Sequence, residues 1–212
     1  MEKECVHCGI CTKNCSFLQK YSIDIGDTEK LRELAYHCFL CGKCSEVCPK
    51  GIDGREKILK LRQENPEIKA FDMRLAEKRD YIFKNYRQAN KKSVLFPGCN
   101  FPSFYPQTTK ALIDILQKEA DMGVVYDCCG KPISDIGLKE DEDRIVEAID
   151  QRLQAAGVEE VVMLCPNCYV FLKSKLTANV ISIYEKLAEL EIGRKLEGDI
   201  QLFLPCPERE GQ

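Results

Sequence analysis

No apolar run in the sequence approaches the ~18 residues that a membrane-spanning helix needs, so no transmembrane segment is expected. Met1-Glu2-Lys3-Glu4-Cys5 is not followed by the apolar stretch of a secretory signal. The expected location is therefore the cytoplasm, with peripheral contact to a membrane left open. There is no Gly-x-Gly-x-x-Gly, no phosphate loop and no Ser/His/Asp set, so nothing points to nucleotide binding or hydrolysis. Only two histidines occur, His7 and His37, each placed shortly before a cysteine. They can tune a neighbouring metal group or sit as surface and packing residues. Residues 55–92 hold twelve Lys/Arg against six Asp/Glu, while the whole chain is at −3. No aromatic platform is interleaved with that basic strip, so it reads as a solvated helical face or a dock for an acidic redox partner, not a nucleic-acid surface.

Cysteine is what the sequence has in excess: 14 in 212 residues. With no secretory signal, so many thiols indicate metal ligands or redox groups in preference to a disulfide framework. Eight of them write one phrase twice: Cys5-x-x-Cys8-x-x-Cys11-x-x-x-Cys15, then Cys38-x-x-Cys41-x-x-Cys44-x-x-x-Cys48-Pro49. This spacing wraps a cubane [4Fe–4S] cluster with three close thiolates, and in two-cluster ferredoxins the fourth cysteine serves the other cluster. Cys5, Cys8, Cys11 and Cys48 are therefore assigned to one cubane, and Cys38, Cys41, Cys44 and Cys15 to the other. Gly9 and Gly42 stand at the same place in each copy, where a tight wrap favours a residue that tolerates positive φ. A pair of zinc knuckles would need four thiols and leave four idle. The first run ends on Ser16 where the second ends on Pro49.

Between the runs, Leu31, Leu34, Ala35 and Cys38 follow a helical period, with Asp27 or Thr28 as cap. A helix here favours an all-helical dicluster module over a small βαβ one. Asp53 and Glu56 have capping-box spacing for a helix to about Gln63. Pro66 breaks it, and Ile68, Phe71, Leu75, Ile82 and Tyr86 predict a second helix to about Gln88. Asn90-Lys91-Lys92-Ser93 is the expected domain boundary.

From Val94 onward short apolar strands alternate with helices. Strands are expected at 94–96, 124–126, 161–164, 180–183 and 200–204. Helices are expected around Leu112, Ile115 and Leu116, around Ile145, Ile149 and Leu153, from Tyr169 to Leu176, and around Leu187 and Leu190. Such alternation predicts a mainly parallel sheet with helices on its faces. The fold class is thus an α-helical dicluster ferredoxin domain (1–52), connecting helices (53–92), and an α/β domain (93–212).

The other six cysteines fall after strands and outside helix interiors: Cys99 after the first, Cys128 and Cys129 after the second, Cys165 and Cys168 after the third, Cys206 after the last. Ligands of open α/β sheets bind outside the carboxyl ends of the strands, so these thiols are expected to gather at one edge. Lys131 and Asp127 flank the vicinal pair and can exchange protons there or simply line a solvated loop.

The set Cys99, Cys128-Cys129-Gly130 and Cys165-Pro-Asn-Cys168 resembles the cysteine-rich CCG domain of heterodisulfide reductase catalytic subunits. It is similar as well to the iron–sulfur subunits of anaerobic glycerol-3-phosphate, glycolate and lactate oxidoreductases. With the preceding dicluster module, the chain resembles a fused heterodisulfide reductase C–B arrangement. The resemblance implies that Cys99, Cys128, Cys129, Cys165 and Cys168 hold a noncubane [4Fe–4S] cluster at which a disulfide is cleaved. It also implies an anaerobic setting and a redox partner: a flavoprotein, a ferredoxin, or a hydrogenase or dehydrogenase subunit. A small thiol or disulfide substrate is implied too. Two departures stand out. The first spacer, 28 residues, is short, and only the opening of a second repeat is present, Leu204-Pro205-Cys206-Pro207.

Other readings of the same thiols stay open. A structural zinc with a spare cysteine would make the chain a non-catalytic relay subunit of a flavin dehydrogenase or quinone-linked complex. Cys165-Pro-Asn-Cys168 at a helix N-terminus would also suit a bare thiol–disulfide couple. Cys206 fits either a metal ligand or an ordinary buried thiol.

Overall fold

The computed structural model describes residues 4–65 and 77–201. By spatial clustering the chain forms two compact units. Of the described residues, the first comprises 4–65 and 132–139, and the second 77–131 and 140–201.

In the first unit short helices carry the cysteine runs: α1 (Ile10–Lys13), α2 (Ser16–Tyr21), α3 (Thr28–Leu34), a 3₁₀ turn (Ala35–His37), α4 (Lys43–Glu46) and α5 (Gly54–Glu64). Helices this short are marginal alone and need tertiary packing. Phe17, Leu18, Ile25, Leu31, Ala35, Ile58 and Leu61 supply it as one buried cluster, with half-buried cysteines packed against it. Asp53 caps α5 as expected, its carboxylate accepting the N–H groups of Arg55 and Glu56. Asp27 sits at the N-cap of α3 without capping it. Its carboxylate instead accepts the Asp24 N–H at 2.6 Å, which tightens the preceding turn.

The second unit is built on a five-stranded sheet of order β1-β3-β2-β4-β5: β1 (Asn85–Gln88), β2 (Ser93–Phe96), β3 (Gly123–Tyr126), β4 (Glu160–Met163) and β5 (Asn179–Ser182). The pairs β2–β3, β2–β4 and β4–β5 are parallel, whereas β1–β3 is antiparallel. The sheet is therefore mixed and mostly parallel. Continuous apolar runs mark strands buried on both faces. Val94, Leu95, Phe96, Val161, Val162 and Met163 are all at most 1% exposed.

Between the strands lie α6 (Asn100–Phe104), α7 (Pro106–Ala120), α8 (Lys131–Asp135), α9 (Lys139–Ala155), α10 (Pro166–Leu172) and α11 (Ile183–Glu189). Leu116 of α7 and Ile183 of α11 pack with Leu95 and Val162 of the sheet. Ile149 and Leu153 of α9 are buried.

Three expectations need correction. The helix expected to reach Gln88 gives way to β1. Tyr86 lies in that strand, and Ile82 is 80% exposed. Pairing with β3 overrides the helical period; Ile68, Phe71 and Leu75 fall outside the described residues. The helix expected at 169–176 begins at Pro166, a favoured first helical position, and ends at Leu172. Cys168 therefore lies in its first turn rather than before it. Of the strand expected at 200–204, Ile200 and Gln201 have no regular structure, and the rest, with Cys206, lies outside the described residues.

Candidate metal centres

The sequence repeat is a backbone repeat. His7 and Leu40 both adopt left-handed φ (51° and 55°), as do Gly9 (69°) and Gly42 (75°). The His7 N–H points at Cys5 Sγ and the Leu40 N–H at Cys38 Sγ, each at 3.4 Å. Gly9 and Gly42 then serve as the N-caps of α1 and α4. Each run thus curls its main chain around its first thiol and aims an N–H at the sulfur.

Cys5, Cys8, Cys11 and Cys48 line one cavity, together with Asp24, Ile25 and Pro49. Cys15 lies within electrostatic reach of Cys38 and Cys44, as does Cys41. The fourth cysteine of each run thus stands with the first three of the other. Burial pushes the Cys44 thiol up to about 12, and the neighbouring sulfurs Cys38, Cys15 and Cys41 add to it.

Two charged residues beside these sets carry no sequence signal. Asp24 is buried, with Oδ1 3.7 Å from Cys5 Sγ and Oδ2 2.9 Å from His7 Nδ1. Arg62 is buried too, its Nη2 donating to the Cys38 carbonyl at 2.6 Å. Of the two histidines, His7 pairs with Asp24, and His37 lies 3.1 Å from the Tyr21 hydroxyl. Cys5, His7 and Asp24 also form a three-donor set whose atoms lie within 4.8 Å of one another. Cys5 belongs to the four-thiol cavity as well, so a single ion there would compete for the same sulfur.

In the second unit the topology places the thiols. β3, β2 and β4 are adjacent and parallel. Their carboxyl ends lie about 4.8 Å apart strand to strand and feed Cys128-Cys129, Cys99 and Cys165 in turn. All five thiols lie within electrostatic reach of their neighbours in one row, Cys99–Cys128–Cys129–Cys168–Cys165. Cys128, Cys129, Cys165 and Cys168 are buried, and Cys99 is half-buried.

Sharing protons along this row splits the acidities. Cys129 is held well below a normal thiol by hydrogen bonds from Cys128 and Cys168. Cys165 is lowered to about 6, chiefly by Cys168 and then by main-chain N–H groups at the start of α10. Cys168 and Cys99 are pushed up, and Cys128 rises to about 12 through its bond to Cys129. Gly98 makes the approach possible: it has φ +72°, and a Cβ there would stand 2.9 Å from Cys168 Sγ.

Asp127 is not a solvated loop residue. It is buried, accepting from Cys128 N at 2.8 Å and from the Tyr86 hydroxyl at 2.9 Å. Lys131 contributes its main-chain N–H to Cys129. Lys78, which carried no sequence signal, reaches Cys99. Beside Cys128 lies a cavity of about 60 Å³, lined by Lys78, Arg79, Lys84, Arg144, Arg152 and Asp127 among others. Most of this positive charge is already met by Glu77, Asp80, Asp141 and Asp127.

The class of protein follows from comparison with known families. Residues 2–52 match a 4Fe-4S dicluster domain and residues 93–173 a cysteine-rich domain of the CCG type. The chain thus joins a 4Fe-4S dicluster domain to a cysteine-rich domain of the CCG type.

Among individual proteins, it is 24% identical to a subunit of the fumarate reductase (CoM/CoB) of Methanothermobacter marburgensis, over 87% of this chain and 47% of that one. It is also 24% identical to an uncharacterized iron-sulfur protein of Methanococcus maripaludis, over 88% of this chain and 44% of the other. The chain thus spans about half the length of these curated relatives. No solved structure matches it significantly. No helix among the described residues is long and apolar enough to cross a membrane.

Proposed function

We propose that the chain is an electron-carrying subunit of a disulfide-reductase-like complex. Cys5, Cys8, Cys11 and Cys48 would hold one cubane, Cys38, Cys41, Cys44 and Cys15 a second, and the five sheet-unit thiols a third, larger cluster. The observation that carries it is the row of five thiols gathered from three adjacent strand ends. Zinc at ~2.3 Å from each sulfur draws its ligands to within roughly 4 Å of one another. Among the described residues, no three of these five thiols form a set with all atoms within 4.8 Å. An extended row suits a multi-iron group better than a single ion. Five thiols also exceed what one zinc uses.

When bound, such clusters supply one-electron transfer at potentials tuned by charge, hydrogen bonds and exposure. The chain's own residues do the rest. The paired backbone curls hold each cubane's sulfurs, and the strand ends fix the third set. Burial excludes water from four of its five sulfurs. At that edge two electrons from a partner protein, with two protons, would split a disulfide into two thiols. Lys78 is a cation within electrostatic reach of Cys99 at that edge. From the Methanothermobacter relative we carry over only that it is one subunit of a reductase.

Anaerobic purification with iron and zinc analysis tests the reading. About twelve irons per chain and no zinc are expected. About eight irons with one zinc would overturn the third cluster and favour the relay subunit. A colourless, iron-free protein would overturn the whole.

A further inference from the structure

We infer that Arg62 sets the order in which the two cubane sites take up electrons. It raises the potential of the Cys38, Cys41, Cys44 and Cys15 site above that of the Cys5, Cys8, Cys11 and Cys48 site. This rests on the two-cubane reading above.

Arg62 lies on α5 and is 5% exposed. Its guanidinium donates from Nη2 to Cys38 O at 2.6 Å and Ala35 O at 2.9 Å, and from Nε to Ala35 O at 3.2 Å. Nη1 donates to the Asp135 carbonyl. The Tyr36 ring stacks against it, 5.0 Å from the guanidinium carbon. The acceptors named are main-chain carbonyls of the cysteine loop and of the 132–139 segment. Arginine keeps its proton throughout the accessible pH range. A fixed positive charge is therefore locked against the main chain of the Cys38 loop.

The Cys5 site has a buried anion beside it, and the lysines at its cavity, Lys50 at the lining and Lys57 on the Ile25 carbonyl, are not buried. Asp24 is 8% exposed and approaches Cys5 Sγ to 3.7 Å. Its partners are the Gly26 N–H at 2.6 Å and the His7 ring at 2.9 Å. His7 offsets this charge only when protonated.

Taking up an electron adds one negative charge to a cluster. A nearby cation favours that form, and a nearby anion disfavours it. Both charges are buried and thus weakly screened by salt. The sequence repeat makes the two sites alike in ligands and backbone, so the buried charges beside them, screened less than Lys50, Lys57 or the Asp135 carboxylate near Arg62, set them apart. The first electron rests on the Cys38 site.

The test is an anaerobic redox titration followed by EPR on the full chain, with iron content measured in each variant. In the wild type, the first signal to appear on reduction is expected to be the one that Cys41→Ser alters and Cys8→Ser does not. Arg62→Gln is expected to lower the midpoint of that cluster alone. The expected change is on the order of tenfold in electron occupancy, or about 59 mV for a one-electron couple. Arg62→Lys, which retains the charge, is expected to stay near wild type.

An Arg62→Gln protein with full iron and an unmoved midpoint overturns the inference, as does an equal shift of both clusters. Should Arg62→Gln fail to assemble, the wild-type order decides: a first electron on the Cys5 site overturns it. Wild-type protein without two cubane signals overturns the underlying reading, and this inference with it. Two signals that ignore Arg62 overturn this inference alone.

Discussion

In the helical unit, eight cysteines fall between positions 5 and 48, and each group of three is set by a few residues of local backbone. In the sheet unit, five thiols are drawn from positions 99 to 168, and the three groups Cys99, Cys128-Cys129 and Cys165-Pro-Asn-Cys168 would not meet one another without the register of β3, β2 and β4. The first arrangement is written in spacing, the second in topology. A local code on helices of four to eleven residues, held by one small buried cluster, is expected to lean more heavily on its metal. A topological code rests on a dry core that exists before any metal arrives.

Stripping the iron should separate the two most sharply. Metal-free protein is expected to lose amide protection through residues 10–64 while keeping it in β2 and β4, as read by hydrogen exchange. Equal loss in both units would break the contrast. Next in size, Phe96→Ala empties a fully buried position of the central strand. It should cost about 3–5 kcal/mol in urea melts of the sheet unit, and the cubane absorption should survive. A smaller cost is expected from Gly98→Ala, which forces a left-handed φ on a residue with a Cβ, at about 1–2 kcal/mol, and crowds Cys168. Iron should fall by the sheet-unit share only.

The capping box of α11 offers the mildest test. Ser182 Oγ accepts from Glu185 N, and Glu185 Oε2 accepts from Ser182 N at 2.7 Å. Ser182→Ala should cost about 1 kcal/mol. The Ser182 N–H holds the Glu185 carboxyl below its usual range. That stabilisation is complete above the ordinary glutamate pKa of about 4.3 and is lost as pH falls through the lower folded value. Thermal melts of wild type and Glu185→Gln should therefore converge in acid.

The same contrast explains what the sequence disclosed. The doubled four-cysteine phrase was legible because spacing and backbone are one thing there. The sheet was legible from its apolar runs, and with it the meeting of Cys99, Cys128, Cys129, Cys165 and Cys168 at the strand ends. Asn85-Tyr86-Arg87-Gln88 was missed because an edge strand with one polar face has no apolar run and borrowed a helical stripe from Ile82 and Tyr86. Arg62 lay within the basic strip read as a solvated face, and Asp24 drew no reading; what buries Arg62 is remote, Cys38 being 24 residues away and Asp135 73. Charge counts along a segment do not reveal which member turns inward.

One detail of the strand-end thiols bears on how the protein would meet oxygen or an alkylating drug. Of the five sulfurs only Cys99 is within reach of a molecule arriving from solution, at the lip of the row. Attack from outside is funnelled to a single gatekeeper atom. Damage would be graded by depth instead of by intrinsic nucleophilicity, and Cys129 and Cys165, the two thiols of the row made more acidic, would be shielded behind Cys99.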